Sequence, residues 1–351
     1  MKPRNKQNKF SLALPGFNEH HSEDYYVLAG DVGGTKTNLA LCLVTLNGIE
    51  EKFSNSYPSK DFAGLVDTIE QFLSECDVRP ARAAFGVAGP VIHGKADLTN
   101  LGWILDSKEL MAALQIDRLT LLNDLEATAY GLADLQDNEA LVLHRGDPTI
   151  GGNMAIIAPG TGLGEAGLYF DGQWYHPFPT EGGHCDFSPR TNFDIGLYNY
   201  LKSKYDIVSW EKAVSGPAIV DIYHYLLKEN NLKVPGHISE RFSNEDNSAV
   251  ISSLAIEKDD VHCTEAMNHF VRYLARECSN LVLKMKSTGG LFIGGGIPPK
   301  ILPLLDSTEF MQHYLDGDRM ENLLTQVPIR VILDSETAMV GAAYYAAYGK
   351  W

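Results

Sequence analysis

Residues 25–48 read YYVLAGDVGGTKTNLALCLVTLNG. An apolar run starting at Tyr25 leads through Gly30-Asp31-Val32 into a glycine-rich turn, and a second apolar run extends from Thr37 to Leu46. Asn47-Gly48 favours a tight hairpin turn, because both residues tolerate the positive φ that such a turn needs. The following GIEEKFSNSYP is therefore expected to return as a third antiparallel strand. Residues 153–178, NMAIIAPGTGLGEAGLYFDGQWYHPF, repeat this order: strand, glycine-rich turn, strand, Asp171-Gly172 turn and strand. The repetition lies in the order of elements and not in residue identity.

Outward from these hairpins, strands and helices alternate. A helix is expected from about Asp61, an N-cap candidate, with Leu65, Ile69, Phe72 and Leu73 on one face. ARAAFGVAG (81–89) reads as a buried strand, Ser107 as the cap of a short helix to Leu114, and RLTLLND (118–124) as a strand running into the helix LEATAYGLADL. GLFIGGG (290–296) and PIRVILD (328–334) are further strands, and ETAMVGAAYYAAYG closes the chain as an Ala-rich helix. This grammar is α/β. Two glycine-rich hairpins, each heading an α/β unit, predict two related lobes with ligands between them.

Composition narrows the function. The 351 residues carry 29 Lys+Arg against 45 Asp+Glu, a formal charge of −16. No basic cluster follows the first ten residues, which argues against a nucleic-acid partner. Phosphate can still be held by backbone N–H groups and a metal. Cys42, Cys76, Cys185, Cys263 and Cys278 form no C-x-x-C pair, as expected of reduced thiols in the cytoplasm. No apolar run is long enough to span a membrane, and residues 1–24 read as a flexible extension.

Six places are candidates for chemistry. Gly30, Asp31, Val32, Gly33, Gly34 and Thr35 form a turn whose bare backbone suits phosphate oxygens, with Asp31 placed to hold Mg²⁺ through water; the alternative is a plain glycine hairpin. Thr35 stands where a P-loop needs its second glycine, and strand follows where a P-loop needs helix, so a P-loop is rejected. Gly160, Thr161 and Gly162 make a second such turn. Asn123 and Asp124 end a buried strand, where ligands gather in open α/β sheets, although either residue also suits a helix cap. Glu181-Gly182-Gly183-His184 offers a carboxylate and an imidazole to sugar hydroxyls, or is a loop with two solvated side chains. Glu211 and the Gly294–Gly296 turn are unremarkable alone.

Taken together, DVGGTKT, LLND, APGTGLGEAG, EGGHCDFSP, VSWEKAVSGPAIVDIY and FIGGGIPPKIL resemble the bacterial-type glucokinases in order and spacing. The resemblance covers about residues 25–350. It implies two ribonuclease H-like lobes, the actin-like ATPase fold, with the active site in the interlobe cleft. Residues 25–134 plus 335–351 would form a small domain and 135–334 a large one. It implies ATP-dependent phosphorylation of glucose at the 6-hydroxyl, the first step of glycolysis, by a cytoplasmic homodimer using ATP and Mg²⁺. Asp124 would be the base; Asn123, Glu181, His184 and Glu211 would bind the other hydroxyls; Gly295 and Gly296 would lie by the adenosine. The alternatives are a kinase for another hexose or an N-acetylhexosamine, and a non-catalytic sugar sensor. Related sugar kinases and repressors often carry a zinc cluster after E-x-G-H. Here CDFSPRTNFD follows with Cys185 alone, so no structural zinc is expected.

Overall fold

The structure, a computed structural model, describes residues 4–19, 23–76, 78–306 and 308–351. It divides into two compact units: Met1–Glu139 with Leu168–Pro179 and Asp334–Trp351, and Ala140–Gly167 with Thr180–Leu333. The sequence boundaries at 134 and 335 thus move to 139 and 334, and residues 168–179 join the first unit.

The first unit is built on β1 (Arg4–Asn5), β2 (Tyr25–Val32), β3 (Lys36–Thr45), β4 (Gly48–Pro58), β5 (Arg82–Val87) and, after the small sheet of β6 (Val91–Ile92), β7 (Lys95–Leu98) and β8 (Trp103–Asp106), β9 (Arg118–Asn123). The main sheet runs β1-β4-β3-β2-β5-β9. β2, β3 and β4 pair antiparallel as the two turn signals require, and β5 and β9 add in parallel. Alternation along β2 sends Leu28 and Val32 into a core shared with Leu65, Ile69, Phe72 and Leu73 of α1 (Leu65–Ser74). The cap positions differ from expectation. Gly64, not Asp61, precedes α1, and Asp106, not Ser107, caps α2 (Ser107–Leu114) by accepting the Lys108 amide.

On the other face of this sheet the C-terminal helix (Thr337–Tyr348) packs on β2, β5 and α3 (Asp124–Gly131). A methyl group built on Gly341 would overlap the Ala127 carbonyl, so the two helices cross with their backbones in contact. This crossing holds the helix that begins with Asp124.

Residues 5–19 are not the loose extension expected. Asn5 pairs with Gly48, the Lys6 amide donates to the Asn47 carbonyl at 2.6 Å, and the Lys9 amide to Ala133 at 2.8 Å. Leu12 is fully buried and pairs with Tyr175, and Phe17 packs edge-on against Tyr348. The contacts reach four separate distant segments, around residues 48, 133, 175 and 348, so no periodicity announces them. Residues 1–3 and 20–22 of the expected extension lie outside the described residues.

The second unit carries β10 (Ala140–His144), β11 (Met154–Pro159), β12 (Leu163–Phe170), β13 (Tyr175–Thr180), β14 (Gly290–Ile293) and β15 (Ile329–Ile332), in the order β10-β15-β14-β11-β12-β13; the far ends of β12 and β13 extend into the first unit. Reading each sheet from its hairpin, third-second-first-fourth-fifth is the common order: β4-β3-β2-β5-β9 and β13-β12-β11-β14-β15. The duplicated grammar of the sequence is therefore a duplicated topology. Between β13 and β14 lies a helical insertion, including α4 (Asn192–Lys202), α5 (Gly216–Glu229) and α6 (Val261–Met285), that packs a large apolar core.

Candidate active site

In the first unit, the turn between β2 and β3 is braced from below. The Ser59 hydroxyl donates to the Gly33 carbonyl at 2.8 Å, the Ser59 amide donates to the Thr35 carbonyl at 3.0 Å, and the Gly33 amide is spent on Lys36. Among the described residues the amides of Gly34 and Thr35 have no such partner. Nothing in the fold demands glycine at position 34: the atom nearest to a Cβ placed there is Asn100 Cβ, 3.8 Å away. Gly30 differs, since its missing side chain makes room for Phe85, and Val32 is buried in the sheet. Asp31 lies across from Asn38, and its half-buried carboxyl is raised by desolvation, with Asn38 opposing the shift.

β9 delivers the next pair. Asn123 caps α3, its Oδ1 accepting the amides of Leu125 at 2.9 Å and Glu126 at 3.3 Å, while its Nδ2 donates to the Gly89 carbonyl at 3.1 Å. Among the described residues the second amide hydrogen of Asn123 has no acceptor. Asp124 is the first helical residue, half-buried, with Oδ1 sharing the Leu125 amide at 2.9 Å. Two residues on, burial pushes the Glu126 carboxyl up to about 7.

In the second unit, three candidate residues gather at Leu163, the first residue of β12. Glu211 Oε2 accepts the Leu163 amide at 3.4 Å, and its Oε1 meets Lys212 Nζ at 2.8 Å. Segment 185–187 runs beside 208–210, with Trp210 donating to Cys185 and Phe187 to Val208, and this carries Glu211 to the Glu181–His184 loop. Gly183 is pressed against the Leu163 carbonyl and Gly182 against Glu165, so both glycines serve close packing. Glu181 and His184 are held outward on that short turn, Oε2 to Nε2 3.9 Å apart and both more than half exposed. The structure thus gives a closely packed floor beneath two exposed side chains.

The Gly160–Gly162 turn closes with a 2.8 Å bond from the Gly160 amide to the Gly162 carbonyl, and the Gly160 carbonyl accepts the Gly216 amide at the start of α5. A Cβ on Gly160 or Gly296 would meet nothing within 4 Å, whereas Gly295 needs its φ of +85° and close approach to Pro159. Thr161 is exposed at the tip. Two contributors escaped the sequence reading. The α5 N-terminus was signalled by Ser215-Gly216-Pro217, a cap followed by an early proline. Ser59 had no local signal.

The sequence profile of the glucokinase family matches residues 28–348. The chain belongs to the glucokinase family. A glucokinase from Nostoc sp. (strain PCC 7120 / SAG 25.82 / UTEX 2576) is 37% identical over 337 residues, covering 92% of this chain and 98% of that one. A glucokinase crystal structure from an Antarctic psychrotroph has 30% identity and a TM-score of 0.77, covering 92% of this chain and 98% of its own. A glucokinase of the ROK family from Streptomyces griseus, solved in complex with glucose and AMPPNP, superposes with a TM-score of 0.60 at 19% identity, covering 92% and 99%. This glucokinase therefore has the actin-like ATPase fold of the sugar kinases, and as an enzyme it phosphorylates glucose. Among the described residues no helix is long and apolar enough to cross a membrane.

Proposed function

We propose that this chain transfers the γ-phosphoryl group of Mg-ATP to the 6-hydroxyl of glucose, with Asp124 accepting the hydroxyl proton. The observation that carries the reading is the gathering of Glu181, His184 and Glu211 around Leu163, directly after the Gly160–Gly162 turn. Groups suited to hydroxyls, from the loop after β13 and from Glu211, thereby lie beside the start of β12, into which the turn suited to phosphate leads.

The roles follow from chemistry. Phosphoryl transfer depends on positioning and charge stabilisation more than on covalent help from the protein. The amides of Gly34 and Thr35, and the bare turn at Gly160–Gly162, suit the phosphate oxygens; the turn at Gly295–Gly296 suits the nucleoside. Glu181 and Glu211 accept from sugar hydroxyls, His184 donates or accepts according to its tautomer, and Asn123 donates its remaining amide hydrogen. The Asp124 carboxylate takes the proton as the new bond forms.

Asp31 fits a magnesium ion that arrives with the nucleotide. Mg²⁺ commonly takes one or two carboxylates, water and substrate phosphate. Burial makes the Asp31 anion costly beside its neutral neighbour Asn38, and a cation would relieve that cost. The ion would neutralise phosphate charge, and the protein's share is to hold Asp31 against β3. The five cysteines are free thiols, which suits a reducing cytoplasm.

The test is an assay of ADP release over a panel of hexoses and N-acetylhexosamines. Glucose is expected to give the highest kcat/KM. Turnover with glucose no faster than ATP hydrolysis in water alone would remove the reading, and a better N-acetylhexosamine substrate would redirect it.

A further inference from the structure

We propose that Glu165, sharing one proton with Glu277, is a positioning residue that forms the floor of the sugar-binding loop Thr180–His184. The proposal rests on the reading of that loop as the glucose site. Glu165 stands on β12, two residues after Leu163, and is 2% exposed. Its backbone carbonyl accepts the Thr180 hydroxyl at 3.0 Å, and that hydroxyl in turn accepts the Gly182 amide at 3.3 Å. Its carboxyl occupies the space a Gly182 side chain would need; Glu165 Cδ would lie 2.9 Å from a Cβ built there. The height of the loop therefore depends on where this carboxyl sits.

Beneath it is Glu277 of α6, fully buried. Asn280 donates to Glu277 at 2.7 Å and Lys284 at 3.3 Å, and the Glu165 carboxyl hydrogen-bonds to it as well. Two buried carboxyls in contact cannot both be ionised cheaply, so one keeps its proton. The cation Lys284 and the amide donor Asn280 both bond to Glu277, which makes Glu277 the anion and Glu165 the acid. Burial, followed by the Glu277 charge, pushes Glu165 up to about 8, with Lys284 opposing. The groups facing the pair are Lys284, Asn280 and the buried Cys278 thiol from α6, and neutral Thr180 from β13. Glu165 Oε1 has no hydrogen-bond partner among the described residues, so a charge on this carboxyl would be offset by Lys284 alone. Ionising Glu165 places two anions against each other under Gly182, and the loop that aims Glu181 and His184 must yield.

The experiment measures glucose affinity of the full chain by titration calorimetry from pH 6.5 to 9. With Glu165 titrating near 8, about one molecule in eleven keeps the neutral acid at pH 9, so the glucose Kd is expected to rise about tenfold. Glu165→Gln retains a donor to Glu277 but does not ionise. Its Kd at pH 7 should stay far below that of Glu165→Ala, and it should not change with pH. If Glu165→Gln fails to fold, Glu277→Gln serves instead: losing the neighbouring anion should move the alkaline rise to lower pH. A wild-type Kd constant to pH 9, or the same rise in Glu165→Gln, would overturn the proposal. Glu181→Gln separates the two readings. If it leaves glucose affinity unchanged, the loop is not the sugar site; if it weakens binding while Glu165→Gln keeps the alkaline rise, only the role of Glu165 falls.

Discussion

Asn123 Oδ1 lies 2.9 Å from the amide of Leu125, so the cap of α3 is the residue before Asp124 and not Asp124 itself. Both residues suit a cap on sequence grounds, and the structure divides the work between them. Capping is satisfied by a neutral amide, and the carboxyl of the next residue is placed on the first helical turn, at the end of a buried parallel strand. Asn123→Ala should lower stability by about 2 kcal/mol, roughly 1 for the cap and the rest for the Gly89 carbonyl left unpaired. Asn123→Ser should recover about the cap's share. Urea unfolding measures both, and an Asn123→Ala protein as stable as wild type would contradict this division.

Two glycines should respond oppositely to alanine. Gly34 has open space and an ordinary φ, so Gly34→Ala should leave the melting temperature nearly unchanged while raising the ATP KM about tenfold, the cost of roughly 1.4 kcal/mol of binding. Gly295 sits at a φ of +85° against Pro159, so Gly295→Ala should cost about 1–3 kcal/mol of stability. Thermal melts beside ATP kinetics distinguish them; the reverse pattern would mean that Gly34 is a fold glycine.

Two buried groups of opposite sign shape the pH dependence of stability: they oppose each other between 4.5 and 6.5, and Glu165 alone lowers stability as pH rises from 6.5 to 8. His269 stacks on Phe193 with ring centroids 3.7 Å apart, and burial pulls it down to about 4, aided by Arg272. Below its unfolded value of 6.5 the unfolded chain binds the extra proton, so this contribution is present above 6.5 and lost as pH falls through 4. Glu165, raised to about 8, behaves conversely: its contribution is complete below 4.5 and lost as pH rises through 8. In melts from pH 4 to 9, His269→Phe, which keeps the stacked ring, should gain stability relative to wild type as pH falls from 6.5 to 4, and Glu165→Gln should lose the wild-type decline between 6.5 and 8. Unchanged slopes would remove these groups as the cause.

The hairpins were legible because Asn47-Gly48 and Asp171-Gly172 act locally, and strand length and alternation follow from nearby residues. The duplicated sheet order became readable from those same two hairpins. Residues 5–19 were not legible: Leu12, Lys9 and Phe17 each contact a partner more than a hundred residues away, and no local pattern encodes such pairings. Within the site, the glycine turns announced themselves, whereas Glu211 gained meaning only by family resemblance and by its place against Leu163. Glu165 was hidden in a run of strand residues, since its significance lies in Glu277, 112 positions on. The caps misjudged at Asp61 and Ser107 were displaced to Gly64 and Asp106, a shift of a few residues that sequence preference does not resolve.

The central claim is that Asp124 takes the proton from the attacking hydroxyl. Its most direct measurement is kcat of Asp124→Asn in the ADP-release assay, with glucose affinity of the same protein measured by calorimetry. General-base catalysis is worth about a hundred- to ten-thousandfold, so kcat should fall by that order while glucose affinity falls far less. A kcat within a few-fold of wild type, with glucose still bound, would contradict the account and place the base elsewhere.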